Sequence, residues 1–150
     1  MSRRKAFLIL CAAALAAAAT QAGSFAGSTG SVVVPLKMAH NSGQSGTATL
    51  VEKGKTTVVT IVLHPARSRF PGNWEFAHIH RVSCARYAKI QSVNAQFATV
   101  TYGLSNLSGG RSQTVASIKL ATLRTGTYSI NAHQKDSPYL NVACGDIPKG

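Results

Sequence analysis

The sequence predicts an all-β domain, a sandwich or barrel of short strands, and three observations carry that prediction. No window beyond the first 22 residues sustains an apolar period of 3.6 residues. Short runs rich in Val, Ile, Thr and Tyr recur instead. Gly- and Pro-bearing turn signals separate those runs at the close spacing seen in sandwiches and barrels.

Residues 1–22 read as a secretory signal peptide, with Arg3, Arg4 and Lys5 ahead of an apolar run from Ala6 to Ala19 and a cut expected after Ala22. The run is shorter than the 18 or more apolar residues a membrane span needs, and no other stretch is long enough, so no span is expected in the mature protein. Cys11 follows the bulky Leu10 inside that run, which argues against a lipoprotein. Residues 23–31, "GSFAGSTGS", read as a flexible N-terminal segment, and 32–150 as one β-domain. "GTATLVEKGKTTVVTIVLH" reads as a hairpin with Gly54 in its turn, and "PARSRFPGNWE" as a broken loop. "FAHIH" is a strand and "RVSCARYAK" is irregular. "QFATVTYGLSNL" and "RSQTVASIKL" flank Gly109 and Gly110 as a second hairpin. "LATLRTG" turns the chain into the strand "TYSINAH", and "KDSPYLNVACGDI" ends the domain.

Export leaves Cys84 and Cys144, and an isolated pair in an oxidising compartment reads as a disulfide. A two-cysteine metal site is the rival reading, but neither residue has a C-x-x-C partner. Removing the signal peptide leaves 13 Lys and Arg against four acids, a net charge of +9. The scattered basic residues favour anionic partners, such as an envelope surface or a small anion, or they serve solubility. Nucleic acid is not expected, because an exported chain without a basic-aromatic module lacks the features such binding uses. The chain also lacks "GxSxG", "GxxxxGK" and "GxGxxG", which removes the common nucleophile-elbow, phosphate-loop and dinucleotide readings.

The histidines carry the chemistry. Strand alternation puts His78 and His80 on one face, about 7 Å apart along the chain, with Ile79 opposite. It likewise puts Ser129, Asn131 and His133 on one face, with Tyr128, Ile130 and Ala132 on the other. Two readings stand: solvated decoration of two strands, or, if the strands are neighbours, three imidazoles converging outside the core as ligands for copper or zinc.

"GTATLVEKGKTTVVTIVL", "AHIH" followed by Cys84, "INAHQKD" and "VACGDI", in that order, resemble the copper/zinc superoxide dismutase superfamily and its secreted bacterial SOD-like and CHRD-type relatives, over residues 46 to 147. The resemblance implies an eight-stranded Greek-key β-sandwich or flattened barrel. It implies copper ligands at His78, His80 and His133, and a Cys84–Cys144 disulfide. Departures are equally informative. No His, Asp or Glu lies between His80 and His133, so the family's bridging histidine and zinc ligands have no counterpart and no zinc site is expected. Asn141 stands where the family's anion-guiding arginine would be. His64, at the end of a predicted strand, is the candidate fourth copper ligand, and Arg81 or Arg86 the candidate anion guide.

The expected function is therefore a periplasmic or secreted copper-binding SOD-like protein with weak or no dismutase activity. As an enzyme it would be a degenerate copper-dependent dismutase acting on superoxide. The alternative is a non-catalytic β-sandwich that binds an anionic envelope surface or a protein partner.

Overall fold

A computed structural model describes residues 30–65, 74–134 and 137–150. The predicted signal peptide lies outside the described residues, as do most of the predicted flexible segment and most of the "PARSRFPGNWE" loop. Eight strands form a closed antiparallel barrel. They are β1 (Ser31–Met38), β2 (Gln44–Lys53), β3 (Thr56–Pro65), β4 (Trp74–His80), β5 (Val100–Ser108), β6 (Arg111–Ala116), β7 (Ser129–Gln134) and β8 (Ser137–Asp146). Their order around the barrel is β1-β2-β3-β6-β5-β4-β7-β8. The placing of β7 beside β4, ahead of the β4-β5-β6 run, is a Greek key.

Local chemistry sets the two hairpins. Gly54, at φ 62°, is the first of the two residues between Lys53 and Thr56, the position a type II′ turn gives to glycine. Gly109 and Gly110, at φ 57° and 74°, join Ser108 to Arg111 as a type I′ turn requires. Inward residues of every strand fill the barrel: Val34 and Leu36, Ala48 and Leu50, Val59 and Ile61, Ala77 and Ile79, Ile130 and Ala132 are all within the core. Each fully buried Leu, Ile or Val contributes about 1.5–3 kcal/mol relative to exposure.

The sequence reading singled out no strand over "SVVVPLKM", yet β1 occupies it and begins inside the segment expected to be flexible. Pro35 obscures it, since proline cannot donate to a ladder. β1 tolerates it because its pairing with β8 is confined to Lys37 and Met38, beyond the proline.

Three short helices also differ from expectation. α1 (Cys84–Tyr87) lies in the stretch read as irregular, and α2 (Val93–Phe97) takes the start of the stretch read as strand. Ser83 and Ser92 cap them, their hydroxyls accepting from the backbone N–H groups of Arg86 and Ala95. α3 (Leu120–Leu123) buries Leu120 and Leu123 against the core, where the sequence suggested only a turn. Among the described residues, no helix is long and apolar enough to cross a membrane.

Candidate metal centre

β4 and β7 are hydrogen-bonded neighbours, with Phe76 opposite His133, His78 opposite Asn131 and His80 opposite Ser129. Ile79 and Ile130, also paired, are fully buried inside the barrel. His78, His80 and His133 therefore share the outer face, as alternation predicts. Ladder irregularities fall at Ile79/His80 in the β4–β5 pairing and on either side of His133 in the β7–β8 pairing. Such bulges re-aim side chains locally, and here both bear on a ligand position.

The outer face is covered over His80 and His133, with His78 half-buried, and this corrects the expectation of solvated imidazoles. His80 and His133 are each 1% exposed, and Ser129 and Asn131 are fully buried. The β4–β5 connection, carrying α1 and α2, folds over the sheet and covers them. Cys84 at the start of α1 is disulfide-bonded to Cys144 of β8, with Cα atoms 5.9 Å apart, which ties the cover to the barrel. Cys84 N–H also donates to Asp146 Oδ1 at 2.7 Å.

Under that cover the three rings converge. Their centroids lie 5.6 Å apart for His78–His80, 5.0 Å for His78–His133 and 5.4 Å for His80–His133. One nitrogen from each can be chosen so that all lie within 4.8 Å of one another. His80 Nε2 and His133 Nε2 are 3.2 Å apart. Two nitrogens bound to one ion at about 2.0–2.1 Å and a tetrahedral angle would stand about 3.3 Å apart, so this pair is already at ligand spacing.

Hydrogen bonding fixes which nitrogen His80 offers. Thr99 Oγ1–H donates to the Gln96 carbonyl at 2.7 Å, so the same oxygen accepts from His80 Nδ1–H at 2.8 Å. The proton is held on Nδ1, and the Nε2 lone pair is left facing His133. His133 Nδ1 is buried without a hydrogen-bond partner.

Burial keeps the rings uncharged. Desolvation, with the charge of His78 second, lowers the His80 pKa to about 4. Desolvation, then His78 and His80, lowers His133 to about 2. Desolvation also lowers His78. Neutral imidazole is the form that ligates a metal.

Tyr87 completes the enclosure. Its ring meets His80 edge-on at 4.7 Å, its hydroxyl donates to Gln96 Oε1 at 3.3 Å, and burial raises its pKa to about 12. Sequence reasoning missed Tyr87, Gln96 and Thr99. None belongs to a ligand motif, and only the fold of the connection brings them to the histidines.

His64 does not join the group. It is exposed near the end of β3, opposite Ser45 of β2. Arg81 and Arg86 are exposed and do not line the histidine cavity. Asn141 is buried opposite His133, with its side-chain Oδ1 unpartnered.

Compared with known proteins, the chain matches no family model, no curated protein and no solved structure.

Proposed function

We propose that this chain is an exported, superoxide dismutase-like barrel that holds one copper ion on His78, His80 and His133 and has weak or no dismutase activity. The observation that carries the reading is the convergence of three neutral imidazoles from paired strands, with His80 and His133 nitrogens 3.2 Å apart. The motif order shared with the dismutase superfamily, in which these three positions bind copper, favours copper over zinc. Three imidazoles suit Cu(I), whereas Cu(II) prefers four tetragonal ligands.

Copper, when bound, supplies one-electron redox chemistry. The chain's own residues do the rest. Thr99 sets the His80 tautomer, and Tyr87, Gln96 and Phe97 exclude water from the site. The enclosure supports slow exchange with a small anion such as superoxide. So does the exposure of Arg81 and Arg86, neither of which lines the cavity. The disulfide supports an oxidising, periplasmic or secreted location.

Metal analysis of the mature protein after loading tests the reading, paired with a superoxide-consumption assay at matched copper content. The expected result is one equivalent of copper and little consumption. Failure to retain copper under reducing conditions would remove the proposal.

A second reading draws on the exposed basic side chains, including Arg81, Arg86 and Lys89 on the cover. A non-catalytic barrel bound to an anionic envelope surface would show salt-sensitive association that survives His133→Ala.

A further inference from the structure

The histidine cavity holds only ≈ 10 Å³, about the space of one water, and is bounded by Tyr87, Gln96, Phe97 and Val100 as well as the ligands. A metal site needs an entry path. Two neighbouring cavities supply one. A space of ≈ 220 Å³ shares Tyr87 and Gln96 with the histidine cavity and adds His40 and Leu140. A groove of ≈ 600 Å³ shares His40 and Ala88 with that space and continues past Met38, Asn141 and the disulfide. Shared lining residues place the three side by side, from the histidines to the disulfide. Tyr87 and Gln96, joined by a hydrogen bond, stand at the inner partition, and His40 stands at the outer one.

The outer partition is built from an unusual turn. Ser42 N–H donates to the Ala39 carbonyl at 3.0 Å, closing a four-residue turn whose central residues are His40 at φ 48° and Asn41 at φ 53°. Two successive positive φ values are type I′ geometry, where glycine and asparagine are the usual occupants. A histidine held there stores backbone strain, a feature that clusters at ligand clamps.

His40 is also fixed in tautomer. Its Nδ1 lies 3.1 Å from the Asn141 carbonyl, which can only accept, so Nδ1 carries the proton and Nε2 is free. Two residues earlier, Met38 is 53% exposed, and its Sδ accepts the Gly43 N–H at 3.2 Å. A pinned thioether and a pinned imidazole thus line one groove. The soft thioether favours monovalent copper over hard divalent cations, and imidazole is a ligand that copper also takes.

We infer that Met38 and His40 form an outer landing site for Cu(I), from which the ion passes between Tyr87 and Gln96 to the three histidines, an inference that rests on the copper reading above. Transit needs the Tyr87–Gln96 bond to open.

The test is the rate at which the intact protein takes Cu(I) from a competing chelator, read together with final occupancy. Met38→Leu keeps shape and His40→Asn suits the left-handed turn, and a thermal melt matching that of the metal-free wild type checks that the double variant keeps the fold. It should load roughly tenfold more slowly yet reach the wild-type endpoint. Gln96→Ala should load faster than wild type. A double variant that loads at the wild-type rate to one equivalent overturns the route and leaves the three-histidine site standing. A wild-type protein that takes no Cu(I) overturns both.

Discussion

His80 and His133 face each other nitrogen to nitrogen at 3.2 Å, and Thr99 holds the proton of His80 on the far side of its ring. The cross-strand pair is therefore set by a residue on neither strand. Thr99→Val keeps the shape of the side chain and removes the acceptor. Metal affinity should fall about 10- to 100-fold, the usual effect of losing an outer hydrogen bond to a ligand histidine. Chelator competition measures the affinity. An unchanged value would show that Thr99 does not position His80.

His133→Ala should abolish tight metal binding and should also destabilise the fold. Alternation alone suggested an exposed ring whose loss would barely change stability. At 1% exposure its removal opens a cavity under Tyr87, and a cost of about 1–3 kcal/mol follows. Urea unfolding of the metal-free variant checks this against a metal-free control.

Ile79→Ala separates packing from ligation. Ile79 is fully buried in the barrel, so the change should cost about 2–5 kcal/mol in denaturant unfolding. The bound ion, on the opposite face of β4, should be retained with near wild-type affinity under folded conditions.

Acid should weaken the metal-free fold over a defined window. His80 and His133 have folded pKa values below their unfolded value of about 6.5. Above that value both states are neutral and the full stability is present. As pH falls below it, the unfolded chain takes up protons first, and stability is lost progressively towards the folded values of about 4 and about 2. The same shifts let the site keep metal near pH 5, where a solvated histidine site would be largely protonated. Thermal melts of metal-free protein, and retained metal, across pH 4–8 test both signs.

The parts of this molecule that obey local periodicity could be read from the sequence. Alternation placed His78, His80 and His133 on non-core faces and Ile79 and Ile130 inside, and the glycines placed both hairpins. The two cysteines left after export pointed to the pairing of Cys84 with Cys144, and the motif order added the nearness of the two histidine strands. What escaped reading depends on tertiary context. β1 was hidden by Pro35, whose missing N–H matters only where a neighbouring strand would use it. The burial of the histidines depends on a connection of weak helical character that gains its shape from two serine caps, a disulfide and the docking of Tyr87. His64 seemed able to swing in because sequence distance gives no direction, and the barrel holds it at the end of β3.

Copper binding as proposed requires three histidines to share one ion. X-ray absorption at the copper edge, on mature protein loaded with one equivalent of Cu(I), tests this most directly. The predicted spectrum shows three imidazole nitrogens at about 2.0 Å without sulfur, and loses that signature in His133→Ala. An unchanged spectrum in that variant, or a sulfur-dominated one in the wild type, would contradict the account.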